Sequence, residues 1–164
     1  SMYFNFKTQM DTGVDKNDMK ISHFFSPAYF QFGPGFLWKK DNNVSINFAP
    51  AAAKLILVHK HFTDLGPSFG VLQGDNSRIE FGASVSAYYK FSPITNVSIE
   101  NILNLYSNYL EDPQNVDINY QMNVIMKINK YLSANIAMQT IYDDNSIKAV
   151  QVKEIFGLGI NYGF

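Results

Sequence analysis

Residues 116–128 read VDINYQMNVIMKI, and this stretch decides the fold class. Its even positions hold valine, isoleucine, tyrosine and methionine, whereas its odd positions are polar except for Ile125. Successive side chains of a β-strand point to opposite faces of a sheet, so a period of two gives one apolar and one polar face. The stretch therefore predicts a β-strand and not a helix.

The same alternation recurs along most of the chain. It is regular in residues 79–91, 132–139 and 150–164, and less regular in residues 3–9, 28–39, 44–59 and 97–109. Pro50 and the alanines around it predict a bulge or bend, because proline donates no ladder hydrogen bond. About eight strands result, and we predict an all-β fold.

The predicted strands are long, and the connections between them alternate in length. Strands of soluble sheets usually have about 5 or 6 residues, whereas a tilted strand needs about 9 to 11 to cross a bilayer. Short turns at 40–43, 92–96 and 129–131 alternate with longer connections at 11–25, 60–76, 110–114 and 143–149. Outer-membrane barrels have this asymmetry. We therefore predict an antiparallel meander that forms a transmembrane β-barrel of about eight strands, or the C-terminal part of a larger barrel.

The composition excludes several classes of protein. The chain has 164 residues, which suits one domain over residues 1–164, and its formal net charge of -1 gives no field that would attract nucleic acid. Cysteine is absent, so disulfide scaffolds and thiolate sites are excluded. No apolar run approaches the roughly 18 residues of a membrane-spanning helix. A mean hydropathy of -0.12 is compatible with a barrel, in which only alternate residues face lipid.

The last strand ends on an aromatic residue. Phe156, Leu158, Ile160, Tyr162 and Phe164 alternate with small or polar residues. This pattern resembles the C-terminal β-signal of bacterial outer-membrane proteins, which the barrel-assembly machinery recognises. It predicts a location in the bacterial outer membrane, with outer-membrane lipid and that machinery as partners. Other envelope proteins, or a missing N-terminal segment, are further candidate partners.

The chain also resembles a family of Bacteroidetes outer-membrane proteins catalogued as domain of unknown function 3078. The resembling stretches are residues 5–9 (NFKTQ), 25–29 (FSPAY), 80–83 (EFGA), 105–109 (LYSNY), 116–119 (VDIN), 127–130 (KINK), 141–144 (IYDD) and 157–159 (GLG). The resemblance implies an outer-membrane location and a β-barrel fold, and it implies no activity. Proteins of this family continue N-terminal to the point where Ser1 stands, so we expect upstream strands that would enlarge the barrel.

Charged residues of both signs lie on the face opposite the apolar one. They are Lys7, Arg78, Glu80, Lys90, Glu100, Asp117, Lys127 and Lys153. Side chains fill the interior of a barrel of about eight strands, so we predict that these residues form a paired inward network. A larger barrel would place them around an aqueous lumen, and a soluble sheet would expose them to water on one face.

His59 and His61 are weak candidates for metal ligands. Two imidazoles two residues apart share a face only if the strand continues through both, and a third ligand such as Asp64 or His23 would have to come from a loop. No serine lies in a nucleophile-elbow sequence. We therefore predict no catalytic residue, no metal, no cofactor and no enzyme activity.

The predicted function is that of an outer-membrane β-barrel protein with a structural, channel, transport or envelope-scaffolding role. The alternative is a soluble β-barrel that binds a small or hydrophobic ligand in a polar and aromatic interior. Solubility without detergent would distinguish the two.

Overall fold

The structure is a computed structural model that describes residues 1–14, 18–64, 66–143 and 147–160. Its elements are β1 (Met2–Thr8), β2 (Gly13–Val14), β3 (Lys20–Ser22), β4 (Ala28–Pro34), β5 (Phe36–Lys39), β6 (Val44–Leu57), a 3-10 helix (Lys60–Phe62), β7 (Ser77–Phe91), β8 (Val97–Asn108), β9 (Asp117–Lys127), β10 (Leu132–Asp143) and β11 (Ile147–Ile160). The predicted all-β class is confirmed.

One large antiparallel sheet contains most of these strands. Its nine strands follow the order β1-β4-β6-β7-β8-β9-β10-β11, with β5 paired to β6, while β2 and β3 form a separate hairpin. Apart from the insertion of that hairpin between β1 and β4, and of β5, which pairs with β6 alone, neighbours in sequence are neighbours in the sheet, as in a meander. Within the described ranges β1 and β11 are not paired with each other.

The prediction of a single strand over residues 28–39 is wrong, because that segment breaks at Gly35 into β4 and β5. β4 pairs with both β1 and β6, whereas β5 pairs with β6 alone. The chain passes close to β6 at the break: a Cβ atom on Gly35 would lie 2.8 Å from Asn47 Oδ1 and 3.1 Å from the Phe48 carbonyl oxygen. Glycine is therefore the residue that fits there.

The expected bulge around Pro50 is confirmed. Ala49 pairs with Ser84 and Ala52 pairs with Gly82, so β6 carries one more residue than β7 between these pairs. An extra residue bends the strand and reverses which positions face inward beyond it.

The connections follow the predicted asymmetry at all but one place. The turn at 40–43 is closed by Asp41, whose Oδ1 accepts hydrogen bonds from the backbone N–H groups of Asn43 at 2.6 Å and Val44 at 3.0 Å. The predicted long connection at 143–149 is wrong, because strand pairing continues to Asp143 and resumes at Ile147. Residues 144–146 between them lie outside the described residues.

Little of the molecule resembles a conventional core. Most of the buried apolar side chains form two small clusters, one of Tyr3, Ala49, Ala52 and Tyr106, the other of Ile56, Val58 and Val71. The second cluster fixes the connection between β6 and β7 against the end of β4, where Tyr29 packs on it. The large apolar side chains of the sheet are therefore mostly outside these clusters.

Candidate functional site

The outer face of the large sheet is covered with exposed apolar side chains. Members that are at least 37% exposed include Phe4, Phe6, Phe32, Phe36, Trp38, Ile46, Phe48, Ile79, Phe81, Tyr89, Phe91, Ile118, Ile136, Val150, Val152, Phe156, Leu158 and Ile160. They come from every strand on the path from β1 to β11 except β8, and from β5. Monomeric soluble proteins rarely expose a continuous apolar surface of this extent, so the face is a candidate contact surface.

Polar residues that interrupt this apolar outer face include Asn101, Thr140 and Glu154. Asn101 on β8 is bonded within the sheet, because its Oδ1 accepts a hydrogen bond from the Tyr120 hydroxyl at 2.7 Å. Glu154 on β11 lies opposite Met138 and is exposed.

The inner face carries an ion cluster whose centre is Glu80. Its carboxylate lies 3.1 Å from Lys54 Nζ and 3.0 Å from Arg78 Nε, and its side chain is only 2% exposed. Lys54 Nζ also lies 3.3 Å from an oxygen of Asp117 on β9. Since β7 and β8 separate β6 from β9 along the sheet, this contact crosses the interior of the curved sheet.

Sequence reasoning missed Lys54, the residue that joins the two carboxylates. The bulge between Ala49 and Ala52 shifts the alternation, so Phe48 faces outward while Lys54, an even position beyond the bulge, faces inward. The alanine-rich sequence gives no period of its own. Pro50 was the one available signal, but it does not locate the extra residue.

The other predicted members of the inward network lie in three different places. Lys90 and Glu100 form a pair at 2.7 Å nearer the short turns, and this pair is more exposed than the Glu80 cluster. Lys7 lines the interior cavity described below. Lys127 and Lys153 are exposed and form no ion pair within the described part of the chain. Only Arg78, Glu80 and Asp117 of the predicted set come together around Lys54.

A cavity of about 440 Å³ lies beside this cluster, toward the longer connections. Its walls include residues of β1, β4, β6, β7, β8, β9, β10 and β11, for example Lys7 of the first strand and Gln151 of the last. The sheet therefore curves so far that its two terminal strands face one cavity. Its volume lies within the range of about 300 to 1,000 Å³ typical of small-molecule sites.

The histidines do not share a strand face as the metal hypothesis required. β6 ends at Leu57, and His59 caps the 3-10 helix, where its Nδ1 accepts a hydrogen bond from the His61 N–H at 3.4 Å. The ring of His59 instead lies near that of His23, with centroids 5.3 Å apart. Among the residues that the structure describes, no group of three or more potential ligands could hold a metal ion.

The predicted β-signal residues fall partly within the described chain. Phe156, Leu158 and Ile160 lie on the outer face of β11 and are 65%, 71% and 81% exposed. Tyr162 and Phe164 lie outside the described residues.

Comparison of the chain with protein-family models, with curated proteins and with solved structures finds no match. The resemblance to the family of domain of unknown function 3078 therefore stays a prediction. The described ranges contain no α-helix with the length and apolar character that a membrane crossing requires.

Proposed function

We propose that this chain is an outer-membrane β-barrel protein whose role is to hold a structural or scaffolding position in the envelope. One observation carries the proposal: the outer face of the sheet is apolar and exposed, while the inner face holds the ion cluster and the polar cavity. A lipid environment favours this distribution, because apolar side chains on the outer face would contact hydrocarbon instead of water.

The strand lengths support the same proposal. β6, β7 and β11 have 14, 15 and 14 residues, and β8, β9 and β10 have 12, 11 and 12. Each of these reaches or exceeds the about 9 to 11 residues of a strand that crosses a bilayer.

Closure of the sheet into a barrel is part of the proposal. β1 and β11 line a common cavity, so the two ends of the sheet approach the same interior. Closure would satisfy the backbone groups along both free edges, which hydrocarbon cannot do.

A structural role is favoured over an open channel by the ion cluster. Lys54 reaches Glu80 on β7 and Asp117 on β9, so charged side chains cross the interior at that level. In a small barrel such contacts fill the space that a pore would need.

The alternative, a soluble ligand-binding barrel, has less support. A soluble barrel buries apolar side chains inside and presents polar ones to water, whereas Phe4, Phe81 and Phe156 lie exposed on the outside here. The outer-membrane proposal also includes the barrel-assembly machinery as a biogenesis partner, on the basis of the C-terminal sequence pattern.

Cell fractionation and gel migration test the proposal. We expect the chain to fractionate with membranes, to need detergent to stay monodisperse, and to migrate differently in sodium dodecyl sulfate gels before and after heating. A monodisperse monomer in detergent-free buffer that shows no change of migration on heating would contradict it.

A further inference from the structure

We propose that the interior cavity binds an uncharged, hydroxyl-rich solute of the size of a sugar or short oligosaccharide. The inference does not rest on the membrane location proposed above, because strands of the sheet form the cavity walls whatever surrounds the outer face. Failure of one proposal therefore leaves the other standing.

The charges that line the cavity favour a neutral ligand. Two lysines, Lys7 and Lys54, face two aspartates, Asp117 and Asp143, so the lining carries no formal excess of either sign. Lys54 is already held by Glu80 and Asp117. An ion that entered the cavity would lose hydration water, and the lining has no net charge that would compensate for this loss.

The uncharged part of the lining suits hydroxyl groups. Six side-chain amides line the cavity, namely Asn5, Gln9, Gln31, Asn104, Asn119 and Gln151. An amide both donates and accepts hydrogen bonds, as does the hydroxyl of a sugar, so the two groups pair in either direction.

Part of the hydrogen-bonding capacity in this wall is unused. The amide nitrogen of Gln31 and the hydroxyl of Tyr106 are buried, and neither has a hydrogen-bond partner within the described residues. Unpaired buried polar atoms are rare in proteins and cost free energy. A ligand hydroxyl that reached either atom would supply the missing hydrogen-bond partner.

Aromatic rings supply the apolar surface that the carbon face of a sugar needs. Tyr29 on β4 and Phe69 on the β6–β7 connection both line the cavity. Both rings also pack against the buried cluster of Ile56, Val58 and Val71, which holds them in place. Small-molecule sites commonly combine such apolar walls with a few placed polar groups.

Titration calorimetry on the purified full chain tests the inference. The neutral probes are maltose, sucrose and N-acetylglucosamine, and the charged counterparts are glucose 6-phosphate and glucosamine. If detergent is needed it must carry no sugar headgroup, for example lauryldimethylamine oxide. We expect saturable binding of at least one neutral probe, with the charged counterparts at least about tenfold weaker because the lining has no net charge to offset their lost hydration.

Variants separate a specific site from general effects of sugars. Gln31→Met should weaken binding about fivefold to tenfold while leaving the thermal midpoint unchanged or raised, because it removes an unpaired amide. Tyr106→Phe, which removes the unpaired hydroxyl and keeps the ring, is a second variant with the same expected direction. Tyr89→Phe, on the outer face, is the matched control that should bind as the parent does. Absence of saturable binding by every neutral probe, equal or tighter binding of the charged sugars, or unchanged binding by both cavity variants would overturn the inference.

Discussion

Lys54 and Glu80 are directly paired across β6 and β7, and the Lys54 Nζ lies 3.1 Å from Glu80 Oε2. The contact lies beyond the bulge between Ala49 and Ala52, where β6 carries one more residue than β7. The same ammonium group reaches Asp117, so one lysine ties three strands together from inside the sheet. This relationship explains how a sheet with few buried apolar residues holds its curvature.

Removing the Lys54 charge should destabilise the protein. Lys54→Met leaves the buried Glu80 carboxylate with Arg78 alone, and breaking a buried ion pair costs about 3 kcal/mol or more. The free energy of unfolding in urea, measured in the solvent that keeps the protein monodisperse, checks this. Lys90→Met is the matched control, because the Lys90 side chain is 39% exposed and water screens its pair with Glu100, so the loss of stability should be much smaller. If both variants lost the same free energy of unfolding, the Glu80 cluster would not be the main stabilising ion cluster of the interior.

Two neighbouring positions on β9 test which face meets lipid. Val124 pairs with Ile136 on the outer face, and Asn123 pairs with Glu100 on the inner face. Val124→Arg should lower the free energy of unfolding in lipid vesicles by about 1 to 2 kcal/mol, because arginine costs about 2 to 4 kcal/mol at the bilayer midplane and less toward the interface, and Val124 lies three residues from the end of β9. Asn123→Arg should cost much less, because the new guanidinium would face a carboxylate. If both substitutions are equally tolerated, the faces are wrongly assigned.

Gly82 should not tolerate a side chain. A Cβ atom there would collide with the Ser107 carbonyl oxygen of β8, a backbone atom that cannot rotate away. Gly82→Ala should therefore destabilise by about 1 to 3 kcal/mol in denaturant unfolding. Gly66→Ala is the control, since nothing lies within 4 Å of the added atom, and its stability should be unchanged or slightly raised. If Gly82→Ala left the free energy of unfolding unchanged, β7 and β8 would not be this close.

The C-terminal aromatic residue should matter for assembly in cells. Deletion of Phe164, which lies outside the described residues, should reduce the amount of heat-modifiable protein in the outer membrane. Folding of the same variant into detergent micelles should change little, because the proposed function of the residue is recognition by the assembly machinery. Normal assembly of the deletion variant in cells would refute the β-signal interpretation.

The sequence predicted the sheet well because period two is a local signal. Residues 116–128 and 79–91 alternate almost throughout, with Ile125 as an exception, and β9 and β7 occupy these segments with the predicted faces. Gly33, Pro34 and Gly35 are typical of a turn or bend, but alternation alone does not show that the strand breaks at Gly35, where the chain approaches β6.

The candidate site was predicted only in part. Arg78, Glu80 and Asp117 follow from alternation on uninterrupted strands, whereas Lys54 depends on the position of the bulge, which the sequence does not locate. The failure of the His59 and His61 pair has a simple cause: β6 ends two residues before the first of them, so the two rings have no common strand face.

Fluorescence of Trp38 tests the central claim most directly. It is the only tryptophan of the chain, it lies on the outer face of β5, and it is 55% exposed. In vesicles of lipids brominated on the acyl chains, we expect strong quenching, greatest when the bromines lie near the headgroups because Trp38 is close to the turn at 40–43. Quenching by aqueous acrylamide should be weak. Full accessibility of Trp38 to acrylamide, with no quenching by any brominated lipid, would contradict the claim that the outer face of the sheet meets lipid.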